Sequence, residues 1–595
     1  MVPAFTKFYK VLNLINMRFI GGFSLRVLGI HDGHNASICL LEDGEIKYLL
    51  QEERLTNKKN YFGFPEKSVS RMFEDLKIGP DDIDWVAMGS QHVPFPFTRD
   101  DLLNIYEKAS SLQARAKYLL RKTPIYSMYK EKRRKDRISH VLNLGFDEKK
   151  VLFVDHHLCH ASSAYFGSPW RNEKVLVMTQ DGSGDDLCST VYIGENGQLE
   201  KIAETKRGDS VGDLYARTTF MMGFVPLEHE YKLMGMAPYS SEYSKKIGYE
   251  TYKQYLKLSE SNPLIFERTI SEPTHMMYPR LRKDTELMRF DSICAGLQQA
   301  TEEILTKWVD KAIKKTGIST VALAGGTFMN VKADKSILEL DSVEKLFVFP
   351  SCGDESNCIG AAFNVYAQKR EESGEEINIK PLRELYHGPD FSDADVESAL
   401  KAAEKEIDFE YEKVSDPDKA ASELILNGEI VARCKGKLEW GARALGNRSI
   451  LADPSDLSHV RVINEMIKSR DFWMPFAPVM MVERADEYII NPKQMPAPYM
   501  IMAFDTTDKR GEFVSATHQY DFTARPQIIE KDWNPGYHSI VENFSKERDI
   551  GVLLNTSFNL HGFPIAFGPE EAMWVFKKSG LKNLELGNYM VSKRV

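Results

Sequence analysis

One pattern that occurs twice along the chain constrains the fold more than any other feature. Residues 26–48 read RVLGIHDGHNASICLLEDGEIKY: an apolar strand, Asp32-Gly33, a second apolar run, then Asp43-Gly44. Residues 174–199 read KVLVMTQDGSGDDLCSTVYIGENGQL, with a strand, Asp181-Gly182, a β-rich run and Asn196-Gly197 in the same order. Asp-Gly and Asn-Gly tolerate positive φ at both central turn positions, so each segment is predicted to hold a β-hairpin closed by a two-residue turn. Two related hairpins, each with an acidic Gly turn aimed at a common cleft, are the mark of a duplicated nucleotide-binding fold.

Two further segments fit an α/β plan. VALAGGTFMN (321–330) is a buried strand ending in Gly325-Gly326 before a helix. LFVFPSCGDESNCIGAAFNVYA (346–367) is a strand, a Gly-Asp loop and a helix with small residues for close packing. Such junctions present backbone N–H groups at a helix N-terminus, where phosphate is stabilised. A chain of 595 residues exceeds the ~250 to 300 that one core organises. The charged, turn-rich stretch KREESGEEINIKPLRELYHGPDFSDAD (369–395) is the natural divide. The expected organisation is an extension over residues 1–24, one domain over 25–388 and a second over 389–595. The second mixes helical patterns such as DPDKAASELILNG with strands such as GEIVARC and IGVLLN.

A net charge of -9 argues against nucleic acid as the main partner, because phosphate neutralisation needs a Lys/Arg surplus on some face. The basic stretch from Arg115 to Arg137 reads first as a solvated helical face. Seven scattered cysteines without a CxxC pair suggest neither a disulfide framework nor a zinc cluster, and fit a reducing cytoplasm. No apolar run reaches the ~18 residues of a membrane span.

His156 and His160 in VDHHLCHASSAYF (154–166) are four apart, so on a helix they share a face and can bind one metal ion, while His157 points elsewhere. Asp181 at a strand end and Asp354 in its loop would add oxygen ligands, and a mixed His/carboxylate set suits Fe(II), Mn(II) or Zn(II). His34, just beyond the first Asp-Gly turn, could accept a proton from an attacking hydroxyl. In CKGKLEWGARALGNRSILADP (434–454) and IKSRDFWMPFAPVM (467–480), Lys437, Arg443, Arg448, Lys468 and Arg470 stand among glycines and aromatics. Such placement suits a phosphate grip, with a structural ion-pair network as the alternative. Asn555, Ser557 and Asn559 in LLNTSFNLHGFPI (553–565) offer neutral hydrogen-bonding groups able to read an amide-like end.

The ordered motifs HNAS, QEERLTNKK, HHLCHA, DGSG, KLMGMAPY, AGGTFMN, CGDESN, GARALGNRSILADP and NTSFN resemble those of the NodU/CmcH carbamoyltransferases over residues 25 to 595. The resemblance implies an N-terminal α/β domain of the actin-like ATPase class, related to the universal tRNA threonylcarbamoylation protein, and a C-terminal YrdC-like α/β domain. It implies that the second domain makes carbamoyl adenylate from carbamoyl phosphate and ATP. The first then passes the carbamoyl group to a hydroxyl of a small natural product. By motif, His156, His160, Asp181 and Asp354 would hold the metal, usually iron, and His34 would act in transfer. Lys59, Gly182, Lys232, Gly235, Gly325, Gly326 and Asn330 would meet the nucleotide, carried with Mg(II). Lys437, Arg443, Arg448, Lys468, Arg470, Arg525, Asn555, Ser557 and Asn559 would meet carbamoyl phosphate and ATP. Lys437 and Ala442 depart from the Arg and Pro of many relatives. A homodimer is compatible with this reading. Two other readings share parts of the pattern: a tRNA threonylcarbamoyladenosine-forming enzyme, and a non-catalytic ATP-binding protein of the actin class.

Overall fold

The computed structural model describes residues 24–120, 123–468 and 471–594. The expectations for residues 1–23 and for Arg470 lie outside the described residues.

Two five-stranded sheets share one plan. The first holds β1 (Arg26–His31), β2 (Ser37–Glu42), β3 (Glu45–Gln51), β4 (Trp85–Gly89) and β5 (Val151–Val154), in the order β3-β2-β1-β4-β5. The second holds β6 (Val175–Gly184), β7 (Leu187–Glu195), β8 (Gln198–Lys206), β9 (Thr320–Ala324) and β10 (Lys345–Val348), in the order β8-β7-β6-β9-β10. In each, an antiparallel meander is extended by two parallel strands. The duplication expected from the two hairpins is present. Asp43 and Gly44 have φ of 51° and 78°, and Asn196 and Gly197 have 51° and 80°, the two-residue turn that matches strand twist.

The helices that bear on the site are α1 (Glu52–Thr56), α2 (Arg99–Glu107), α3 (Pro124–Asn143), α4 (His156–Gly167), α5 (Glu230–Met236), α6 (Val331–Leu338) and α7 (Asn357–Glu372). α4 and α7 pack on each other, α4 against β6 and β9 and α7 against β1 and β4. A Cβ on Gly360 would lie 1.8 Å from the Cys159 carbonyl oxygen, so the small residues of α7 permit this approach. α2 begins at a capping box, with Thr98 Oγ1 accepting from Asp101 N at 3.2 Å and Thr98 N donating to Asp101 Oδ2 at 2.9 Å.

The chain beyond 389 builds an eight-stranded mixed sheet. It comprises β11 (Phe409–Lys413), β12 (Val431–Cys434), β13 (Arg448–Ala452), β14 (Ala477–Met481), β15 (Gln527–Ile529), β16 (Val552–Ser557), β17 (Asn583–Leu586) and β18 (Tyr589–Lys593), in the order β11-β18-β17-β12-β13-β16-β14-β15. GEIVARC and IGVLLN supply β12 and β16, as predicted, and DPDKAASELILNG supplies the helix Pro417–Leu426. The largest apolar core runs from Val27 and Val177 through to Trp440, Leu445 and Phe504, so the two halves are packed as one body. Part of the later chain lies over α5 and α6: Trp473 Nε1 donates to Lys232 O at 3.2 Å, and Ala503 N donates to Val331 O at 3.2 Å.

The basic stretch is not simply a solvated face. Lys132 and Lys135 are exposed, but Arg133 and Arg137 on α3 are buried against Asp32. The side that carries them faces the first sheet.

Candidate active site

The first N–H of α4, that of His156, is taken by the Asp185 carboxylate at 2.8 Å. That carboxylate also accepts from the backbone N–H groups of Gln91 and His92, each at 2.8 Å. A helix start leaves donors without intrahelical partners, and here one side chain satisfies a donor of that start while tying the loop after β4 to it. His156 and His160 share a face, with their Nε2 atoms 3.2 Å apart. β6 brings Asp181 Oδ2 to 3.1 Å from His156 Nε2. The turn before α7 brings Asp354 Oδ1 to 3.5 Å from His156 Nε2 and 3.7 Å from His160 Nε2. His157 faces away and meets Thr179 Oγ1 through Nδ1 at 2.8 Å.

The four ligand atoms lie within 4.8 Å of one another. Donors ~2.0 to 2.2 Å from one ion stand roughly 3 to 3.6 Å apart, so the cluster fits a divalent ion with small shifts. Each imidazole keeps its Nδ1 on a hydroxyl, Ser90 Oγ at 2.9 Å for His156 and Ser356 Oγ at 3.3 Å for His160, the outer contact that orients a histidine for ligation through Nε2. Burial discourages charge on His156, but Asp354 and Asp181 outweigh it and raise its pKa to about 9. Burial would likewise raise the Asp181 carboxyl, yet His156 and His160 hold it well below the ordinary range. These four residues therefore attract positive charge. A Cβ on Gly184 would sit 2.0 Å from His156 Cγ, so the second glycine of DGSG leaves the space that the ring fills.

His156, Asp181 and Asp354 of the cluster line a cavity of about 810 Å³. Asp181, Gly182, Asp354 and His34 line it from the first half, and Arg443, Lys468, Arg525, Asn555, Ser557 and Asn559 from the second. Burial lowers the pKa of His34 against the opposing pull of Asp354 and Asp181, which keeps the imidazole neutral and able to accept a proton near pH ~7. Among the residues lining it from the second half, Lys468 Nζ donates to Ser557 Oγ and Asn559 Oδ1, both at 2.9 Å. The loop bearing Arg443 docks on the first half: Gly441 N donates to Gln51 Oε1 at 3.1 Å, Arg54 Nη2 to Gly441 O at 2.6 Å, and Ala442 N to Ser351 Oγ at 3.1 Å.

The family models described as carbamoyltransferase N-terminus and carbamoyltransferase C-terminus match residues 26–363 and 422–593. The chain belongs to the carbamoyltransferase family. MJ1051, an uncharacterized protein of Methanocaldococcus jannaschii, is 32% identical over 573 residues, covering 95% of this chain and 99% of that protein. Nodulation protein NolNO of Sinorhizobium fredii is 29% identical over 570 residues, covering 94% of this chain and 79% of the relative. Among solved structures, full-length HypF in its phosphate- and nucleotide-bound form aligns over 59% of this chain and 56% of its own at 13% identity, with a TM-score of 0.33. In this carbamoyltransferase the two matched segments line one cavity from both sides.

Of the residues singled out in the sequence of the carbamoyltransferase, Lys59, Gly182, Gly235, Gly326 and Asn330 also reach the cavity. Four do not. Lys232 is buried and its ammonium pairs with Asp471 at 2.9 Å. Gly325 sits behind Gly326, where a Cβ would lie 2.3 Å from Gln180 O. Lys437 is exposed and away from the cavity lining. Arg448 is 0% exposed, with Nε donating to Phe567 O at 3.1 Å and Nη1 to the carbonyls of Lys435, Gly436 and Asn447. Its Nε and Nη1 bind backbone carbonyls where β13 begins inside the core, while Nη2 meets no hydrogen-bond partner among the described residues. Asp32 corrects the expectation of two acidic turns facing the cleft: it is fully buried and bound by Arg137. Asp185, Ser90, Gln51 and Arg54 were not legible as site residues. Only Asp185, second acid of DGSGDD and at φ 49°, carried a local signal, since such a backbone is uncommon outside glycine and is met most often at asparagine and aspartate.

Proposed function

We propose that this carbamoyltransferase uses ATP to convert the carbamoyl group of carbamoyl phosphate into carbamoyl adenylate, and passes it to a hydroxyl of a small natural product. Residues 389–595, as a YrdC-like domain, carry adenylate formation, and residues 25–388, of the actin-like ATPase class, carry transfer. The observation that supports this most is the single cavity with Lys468, Arg443 and Arg525 lining it from one half and His34 and the His/Asp cluster from the other. Water cleaves carbamoyl phosphate to carbamate and inorganic phosphate, a carbamate oxygen then bonds to the α-phosphorus of ATP as pyrophosphate leaves, and the adenylate so formed gives this otherwise poor electrophile a leaving group. A reactive adenylate that stays within one cavity is kept from water.

Lys468 and Arg443 fit the phosphate-bearing reactants, and Ser557 and Asn559 the carbamoyl amide. On the side lined by the first half, the acceptor oxygen bonds to the carbamoyl carbon, the bond from that carbon to the AMP phosphate oxygen breaks, and AMP leaves. His34 takes the acceptor proton. His156, His160, Asp181 and Asp354 would hold a divalent ion, iron(II) in this proposal, which when bound supplies Lewis-acid stabilisation of charge on the carbonyl oxygen. Mg(II) would accompany ATP. The setting proposed is cytoplasmic secondary-metabolite synthesis; among the described residues no helix is long and apolar enough to cross a membrane. The test is AMP and pyrophosphate release with and without carbamoyl phosphate. Release that requires carbamoyl phosphate is expected, and release independent of it would overturn the proposal.

A further inference from the structure

We propose that the cavity wall beside His34 is the acceptor subsite, and that it takes an alcohol bearing an apolar ring system in preference to a wholly polar sugar. This rests on the transfer reaction proposed above. Phe62 pairs with His34 across an isolated antiparallel bridge, so the wall begins at the group that takes the acceptor proton. Phe97 packs on Phe62 with ring centroids 4.3 Å apart. The same cavity face continues through Val93, Leu102 and Ile105. Tyr126 and Tyr129, also lining the cavity, are stacked at 5.8 Å, and His92 meets Tyr126 edge-on at 5.9 Å.

The wall is fixed relative to the reacting cluster at two points. Asp185 holds the N–H of His92 together with that of His156, and Gly63 N donates to Gly33 O at 3.3 Å. Ile105 is 50% exposed and Leu227, on the same cavity, 39%. Apolar groups left facing an aqueous cavity gain when a ligand covers them. Outside the His/Asp cluster, the two acids that act on His34 each have a cation beside them: Glu228 pairs with Lys59 at 3.3 Å and Glu53 with Arg54 at 3.4 Å, so they make no strong demand for a cationic acceptor. Phenylalanine, valine, leucine and isoleucine side chains without amide partners favour an apolar face over the hydroxyl-rich edge of a free sugar.

The test compares biphenyl-4-methanol with methyl glucoside on the full chain. Binding is read by fluorescence titration and calorimetry, and transfer by mass spectrometry in the presence of carbamoyl phosphate and ATP. Biphenyl-4-methanol is expected to bind and to gain a carbamoyl group. Ile105→Asp, at a half-exposed position, should weaken that binding about ten- to a hundredfold, while Ile105→Leu should retain it. Preference for the glucoside, or unchanged binding to Ile105→Asp, would overturn the subsite. Carbamoyl phosphate-dependent AMP release is measured on the same samples. Its absence would count against the reaction, whereas its presence without biphenyl-4-methanol binding would count against the subsite alone.

Discussion

Arg137 grips Asp32 at two points, Nη2 to Oδ1 at 2.8 Å and Nε to Oδ2 at 2.8 Å, with both side chains fully buried. Asp32 directly follows β1, and Asp181 lies in the last part of β6, the equivalent strand of the duplicated plan. Only Asp181 reaches the His/Asp cluster. One copy of the turn thus joins the His/Asp cluster, and the other anchors α3 and, with it, the wall carrying Tyr126 and Tyr129.

Breaking this pair by Arg137→Met should therefore cost about 3 to 5 kcal/mol, because it leaves a buried carboxylate with only the more distant Arg133, at 3.6 Å, to match it. The double variant Asp32→Leu with Arg137→Met should lose less than either single variant. Thermal and denaturant unfolding check both. Burial raises the Asp32 carboxyl pKa, but Arg137 overrides it and holds it below the ordinary value. The folded form then binds the proton more weakly than the unfolded form. The pair's stabilisation is present above the ordinary carboxyl pKa, near ~4, and fades as the pH falls below it. The wild type should lose more stability than the double variant on acidification through that range.

His160→Ala should remove the divalent ion while leaving the fold in place, since the ring is one of four convergent donors. Gly184→Ala should lower metal affinity by about 10- to 100-fold without deleting any donor, because a Cβ there displaces His156. Metal content after gel filtration and circular dichroism on the same samples separate loss of ion from loss of fold. Full metal retention in both variants would contradict the assignment.

Arg448→Ala should act on stability, costing about 2 to 4 kcal/mol through unmatched carbonyls. Lys468→Ala, inside the cavity, should instead raise the KM for carbamoyl phosphate by roughly tenfold or more with little change in unfolding. Steady-state kinetics at varied carbamoyl phosphate distinguishes the two, and the reverse pattern would put Arg448 back at the phosphate.

The parts of the fold that rest on local rules were legible in the sequence. Asp43-Gly44 and Asn196-Gly197 announce their turns because few other pairs tolerate that backbone. The four-residue spacing of His156 and His160 puts them on one face whatever surrounds the helix. Long-range partners were not legible. Asp32 and Arg137 are 105 residues apart, and the same Asp-Gly signal marks Asp32 and Asp181 although their roles differ. Arg448 and Lys468 look alike as basic residues among aromatics. What separates them is that one starts a core strand while the other ends beside Ser557 and Asn559.

The two chemistries assigned to one cavity can be separated at His34. In His34→Asn, with ATP, carbamoyl phosphate and an accepted alcohol, carbamoyl phosphate-dependent pyrophosphate release and carbamoylated product are followed in the same reaction. Product formation should fall by about 10² to 10⁴ while pyrophosphate release is nearly retained, as removal of a general base in the second step requires. Product formed at the wild-type rate, or equal loss of both signals, would contradict two steps divided between the two halves that line one cavity.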